Sequence, residues 1–138
     1  MGEYEDTIKD IEKTLGMVPG FVKDVPREPV VQQWPLFKRY TLGESQIPAK
    51  YRELIGLAIA ANLKCPYSQR FHESAARLRG ASDQEISEAA FLASYTAGWS
   101  DIMQAQHYDY DTFTDEVSQI SKNLKGEHIK RTLRVPQM

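Results

Sequence analysis

From Glu53 to His72 the chain reads ELIGLAIAANLKCPYSQRFH, and this stretch decides the fold. Leu54 to Leu63 holds only Leu, Ile, Ala and Gly apart from Asn62, and no charge stands between Glu53 and Lys64. Such a run is too short to cross a bilayer and is rich in helix formers, so it predicts a buried helix. Pro48 suits its first turn, and Asn62-Leu63-Lys64 marks its end. Pro66 then suits the first position of a second helix, with Cys65 at its N-cap. A connector this short predicts an antiparallel helical hairpin.

The hairpin gathers residue types that carry chemistry. A helix N-terminus presents unpaired N–H groups and partial positive charge, which favour a thiolate at Cys65 over a thiol. Ser68 and His72 follow at i+3 and i+7, on the same stripe of the helix. If the chain folds back near Lys64, Glu53 lies alongside residues 73–76, one turn from His72. A carboxylate there would orient the imidazole, raise its basicity and relay a proton to the nucleophile. Each residue alone has a plainer reading. A lone cysteine is commonly a small buried hydrophobe. A single histidine sits most often at a surface or a helix end, and a glutamate near a helix N-terminus answers the dipole. The joint spacing favours the chemical reading.

That spacing resembles the AhpD-like, or carboxymuconolactone decarboxylase, superfamily. Its redox-active branch carries Glu, eleven residues, Cys-x-x-Cys, three residues and His; here stand Glu53, Cys65-Pro66-Tyr67-Ser68 and His72. The lead-in LGESQIPAKYRELIGLAIA, Leu42 to Ala60, and the segment LGMVPGF, Leu15 to Phe21, are similar to the same family, so the resemblance runs from about residue 10 to about 115. It implies an all-α fold, a dithiol/disulfide centre, a Glu–His proton relay, and peroxide reduction or thiol–disulfide exchange. It also implies assembly as a homo-oligomer, trimeric or hexameric. Carried over, Cys65 is the first thiol, His72 the relay histidine and Glu53 the relay acid. Tyr67 is a candidate contact to a peroxide or a leaving thiol. His107 is a candidate second site residue, because related proteins often place polar or aromatic groups from that helix near the thiol pocket; the preferred reading is a structural histidine stacked among Tyr108, Tyr110 and Phe113.

Ser68 departs from the pattern. It stands where the second cysteine would be, so this chain cannot close an internal Cys-x-x-Cys disulfide. An engineered Cys-to-Ser replacement and a natural monothiol member both account for it; the former is preferred, since Ser is the nearest shape match and the rest of the motif is intact. CPYS is also similar to monothiol glutaredoxins. That fold needs a strand before the motif, and an Ala- and Leu-rich helical run stands there instead.

The 138 residues suit one domain, with a core from about 10 to 125 and an arm or tail from about 127 to 138. The apolar fraction of 41% serves a modest core, leaving further burial to an oligomer. A net charge of −2 favours neither nucleic acid nor an anionic membrane as partner. MGEYEDTIKD lacks the basic and apolar regions of a secretory signal, so a cytoplasmic protein is the default expectation. One cysteine excludes an internal disulfide framework. Cys65, Glu53, His72 and His107 lack the paired short spacings of a structural zinc site, and no phosphate-cradling or dinucleotide glycine motif occurs. Neither metal nor cofactor is expected.

Outside the hairpin, Tyr4, Ile8, Ile11 and Leu15 predict an amphipathic helix stopped by Gly16. A loop with a helical turn near Phe21 to Val25 follows. A helix from Pro29 toward Gly43, kinked or divided at Pro35, carries Val30, Val31, Trp34, Phe37 and Tyr40 as core or interface. After Pro66 to Arg79 with its Ala75, Ala76 and Leu78 face, Gly80 ends the second hairpin helix, and Arg70, Arg77 and Arg79 are expected in solvent. Ser82-Asp83-Gln84-Glu85 is a capping box opening a helix to about Ala97, with Ile86, Ala89, Ala90 and Ala93 inward and Gly98 as a kink. Asp111 or Thr112 is expected to cap a last helix to about Leu124, with Phe113, Val117 and Ile120 inward.

These readings converge on a thiol-disulfide oxidoreductase or alkylhydroperoxidase-like antioxidant protein. It would take a hydroperoxide or disulfide as substrate and electrons from a protein dithiol. Two rivals remain: a non-redox decarboxylase-like enzyme with His72 and Glu53 as its acid–base pair, and a non-catalytic oligomeric scaffold.

Overall fold

The computed structural model describes residues 2–125, and among these the regular structure is entirely helical. Six α-helices follow in order: α1 Glu3–Leu15, α2 Arg27–Phe37, α3 Ala49–Leu63, α4 Pro66–Leu78, α5 Asp83–Ala105 and α6 Tyr110–Leu124. They form two compact units, one up to Tyr95 and one from Thr96 onward. No described helix is long and apolar enough to cross a membrane. The expected arm at 127–138, with His128, lies outside the described residues.

In the first unit α1 ends at Gly16, which adopts φ +82° and returns its N–H to the Glu12 carbonyl at 2.8 Å. That positive φ is costly for any residue with a Cβ. Ile11 is buried against Val30 and Trp34 of α2, with Val22 of the 3-10 turn Gly20–Asp24 and Val25 just after it packed on them. Asp10 fastens this packing. It accepts from Trp34 Nε1 at 2.8 Å and from Lys38 Nζ at 2.7 Å. The Lys38 ammonium first, and the Trp34 N–H second, hold the Asp10 carboxyl below the ordinary aspartate value.

The helix expected from Pro29 to Gly43 begins earlier and changes type. Pro26 takes the N-cap, and α2 runs through Pro35 to Phe37. Pro35 has no N–H, so the ladder loses one bond there. The chain then widens into a π-helical turn, Lys38–Leu42, closed by Gly43 N–H on the Lys38 carbonyl at 2.8 Å. Arg52 from α3 holds the end of this turn, donating to the Gly43 carbonyl at 2.6 Å and to Ser45 Oγ at 2.5 Å. Arg79 adds a bond to the Leu42 carbonyl at 3.1 Å. Arg77 bridges Glu73 and Asp83. Two of the three arginines expected in plain solvent therefore tie segments together, because their guanidinium forks reach neighbouring carbonyls and carboxylates.

α3 and α4 form the expected hairpin. Pro48 is the N-cap of α3, one position before its first turn. Lys64 takes a left-handed φ of +54°, and the Cys65 N–H returns to the Ala60 carbonyl at 3.2 Å. This reverses the chain within two residues. Glu53, Leu57 and Ala60 are buried on one side of α3, while Ile55 and Ile59 are exposed on another. The fully buried helix expected here is thus buried on one stripe only. An all-apolar run can bury any face, but a single chain supplies neighbours to one. On α4, Ala76 is buried and Leu78 exposed, since positions two apart point to nearly opposite sides.

The capping box forms as expected: Ser82 N–H bonds Glu85 Oε1 at 3.0 Å, and Glu85 N–H bonds Ser82 Oγ at 3.1 Å. Lys50 reaches the same carboxylate at 2.9 Å and so ties α5 to the start of α3. Ala89 and Ala93 are buried while Ala90 is exposed, one position off the packed stripe. Asn62 also bonds the Ala93 carbonyl, at 3.3 Å. α5 passes unbroken through Gly98 to Ala105. A lone glycine costs a helix about 1 kcal/mol relative to alanine, which the long run on either side absorbs.

In the second unit, Asp109 rather than Asp111 or Thr112 caps α6. Its carboxylate accepts from the Thr112 N–H at 2.9 Å and from Thr112 Oγ1 at 2.8 Å, so Thr112 stands three residues inside the cap. Phe113 is half-buried, edge-on to Tyr108, whereas Val117 and Ile120 are exposed rather than inward. Among the described residues of that unit, nothing covers the stripe they share.

Candidate functional site

The hairpin builds the site. Glu53 lies one turn into α3 and His72 halfway along α4, and the reversal at Lys64 sets them side by side. Glu53 Oε2 stands 2.7 Å from His72 Nδ1, with the glutamate 3% exposed and the imidazole partly open. In the tautomer that suits this contact, the carboxylate accepts a hydrogen bond from Nδ1–H, and Nε2 is the ring nitrogen that Glu53 does not engage. Phe71 packs edge-on against the imidazole with centroids 5.3 Å apart. Phe71 meets Phe37, and Phe37 stacks on Trp34, so rings join His72 to the core of α1 and α2.

Cys65 is the N-cap of α4, with Pro66 in its first turn, as the sequence predicts. Its Sγ lies 3.5 Å from Ser68 Oγ. The thiol is held below the ordinary cysteine value. The Ser68 backbone N–H lowers it most and the Ser68 hydroxyl next; partial burial opposes them and the Tyr67 N–H assists. These groups are the first-turn donors of α4, so the helix end itself favours the thiolate.

The structure thus brings Glu53 to His72, and Ser68 to Cys65. No hydrogen bond joins the two pairs among the described residues. Tyr67 acts on the sulfur through its backbone, and its side chain is 85% exposed. His107 belongs to the second unit. There it adopts φ +50° and lines a cavity of about 380 Å³ with Gln104, Tyr108 and Phe113. Among the described residues no group of three His, Cys, Asp or Glu side chains is close enough to hold a metal ion.

Two contributors escaped the sequence reading: Phe71 and Gly56. The imidazole lies directly over Gly56, where a Cβ would fall 2.5 Å from its Nδ1 and Cε1. A glycine three residues after Glu53, inside an otherwise Ala- and Leu-rich helix, was the available signal.

An all-helical fold centred on such a hairpin is the AhpD-like fold. A solved structure described as the alkylhydroperoxidase AhpD core from Rhodospirillum rubrum superposes with a TM-score of 0.67, at 24% identity over 81% of this chain and 85% of that one. The carboxymuconolactone decarboxylase family model matches residues 28–108, more than half of the chain, and the protein belongs to that family. No curated relative matches.

Proposed function

We propose that this protein is an AhpD-like thiol enzyme in which Cys65 reduces a hydroperoxide or a disulfide. The observation that carries the reading is the pairing of buried Glu53 with His72 on the same hairpin that sets Cys65 at a helix N-terminus. The Cys65 thiolate attacks the peroxide oxygen, so an S–O bond forms and the O–O bond breaks. Sulfur is oxidised by two electrons to the sulfenic acid, and the leaving alkoxide takes the proton that His72 had accepted from the Cys65 thiol, with Glu53 orienting the ring. A thiol of a protein dithiol donor then condenses with the sulfenic acid, releasing water and forming a mixed disulfide. The donor's second thiol breaks that disulfide and frees Cys65, leaving the donor oxidised. Ser68 stands where a second thiol of this chain would otherwise perform that attack.

The reading extends to assembly and setting. Ile55, Ile59 and Leu63 make an exposed apolar stripe along α3, Phe91 and Leu92 lie exposed on α5, and the described core contains no fully buried large side chain. A second copy is the natural cover for such a surface, so a homo-oligomer, trimeric or hexameric, is proposed. A free thiol centre fits the reducing cytoplasm.

Single-turnover oxidation of Cys65 by an alkyl hydroperoxide tests the proposal, read by mass spectrometry and by trapping of the sulfenic acid. Oxidation well above that of a free thiol, slowed by His72→Ala, is expected. A rate equal to that of free cysteine and indifferent to His72 would sink the redox reading. One observation favours a second reading, in which the family's decarboxylase-type chemistry uses Glu53 and His72 alone: their pairing is complete without the thiol. Activity on a lactone acid that survives Cys65→Ala would establish it.

A further inference from the structure

The structure assigns Gly56 as the positioning residue of the Glu53–His72 relay; the assignment rests on the reading of that pair as functional. Residues 53, 56, 57 and 60 follow i, i+3, i+4, i+7 along α3 and line its packed side. At 53, 57 and 60 the side chains are buried. At the fourth the imidazole takes the place a side chain would occupy. A Cβ at 56 would stand 2.5 Å from His72 Nδ1 and Cε1 and 2.8 Å from Cγ. Carbon atoms do not approach so closely, so any other residue displaces the ring. The ring has little room to yield while keeping its bond, because Glu53 holds Nδ1 at 2.7 Å and the Phe71 ring stands edge-on to it.

The helix itself gives no reason for glycine. Position 56 is mid-helix, where alanine is the better helix former. A gain in helix propensity accompanied by a loss of relay geometry separates a positioning role from a merely structural one.

The test compares the parent, Gly56→Ala, His72→Ala and the double variant. Long-range proton–nitrogen NMR reports which imidazole nitrogen of His72 carries the proton, and the pH profile of Cys65 oxidation by an alkyl hydroperoxide reports the relay. In the parent the Nδ1–H form bonded to Glu53 is expected. In Gly56→Ala that signal is lost and the oxidation profile moves to that of His72→Ala. In the His72→Ala background Gly56→Ala should change nothing further. An unaltered His72 spectrum in Gly56→Ala would overturn the assignment, and so would an equal effect of Gly56→Ala with and without His72. If Gly56→Ala does not fold, the double variant decides: recovery supports a clash with His72, and continued failure overturns it. If the parent's oxidation ignores His72, the thiol reading falls while the NMR comparison still judges Gly56.

Discussion

Glu53 and His72 meet at 2.7 Å across the α3–α4 hairpin, one a buried carboxylate and the other a half-open imidazole nineteen residues later. The pair has a structural effect independent of any chemistry, because a buried carboxylate must be answered by a donor. Glu53→Ala removes the acceptor and leaves a gap on the buried side of α3. We expect a loss of about 1–3 kcal/mol in denaturant unfolding, with Glu53→Gln losing less. A change below about 0.5 kcal/mol, the level of ordinary surface substitutions, would mean that solvent serves His72 as well as Glu53 does.

Cys65 titrates below an unfolded thiol, chiefly through the Ser68 N–H and then the Ser68 hydroxyl. The folded chain therefore binds fewer protons than the unfolded chain between the two values, and stability rises with pH across that interval. The contribution is complete above the ordinary thiol value of about 8.5 and is lost as pH falls through the folded value. The unfolding stability of the parent relative to Cys65→Ser should thus increase as pH rises from the folded value toward about 8.5 and level off above it. Ser68→Ala should raise the thiol pKa only part of the way, since the backbone donors remain. Ultraviolet titration of the thiolate checks this, and a Ser68→Ala value at or above that of free cysteine would assign the whole effect to the hydroxyl.

Ser68→Cys should restore a second thiol within reach, because Ser68 Oγ already lies 3.5 Å from Cys65 Sγ. Thiol counting before and after mild oxidation should show two free thiols becoming none, without dimerisation. Peroxide turnover with a dithiol donor should rise above that of the parent. Two persistent free thiols would show that the first turn of α4 does not permit the disulfide geometry.

The α3 stripe predicts its own disruption. Ile55→Lys with Ile59→Lys should lower the solution mass measured by light scattering and leave helicity intact. An unchanged mass would count against this stripe as an interface between copies.

Lys64 carries the hairpin reversal at φ +54°. Lys64→Gly should relieve that backbone and stabilise the chain by about 0.5–1 kcal/mol, near the penalty an L-residue meets there. Thermal unfolding reads the result, and destabilisation would imply that the lysine side chain has a further partner.

Residue spacing conveyed what is local. The hairpin, the Cys65 N-cap with Pro66 and the Ser82–Glu85 box follow from proline placement, periodicity and a short connector, all of which act within a few residues. The start of α2, the π-helical turn after Pro35, the unbroken helix through Gly98 and the Asp109 cap were not legible, because several neighbouring residues could serve equally well. Local energies at such boundaries differ by less than packing contributes.

By itself, the sequence determined an all-helical chain with a thiol at a helix N-terminus and a glutamate and a histidine on adjoining helices. Tertiary structure alone decided which face of α3 is buried, since its charge-free run offers no preferred side until α4 packs against it. It also decided that His72 rests on Gly56 and that Phe71 stands against its ring. Those relations depend on how two helices approach, and a glycine records only that nothing of its own stands in the way.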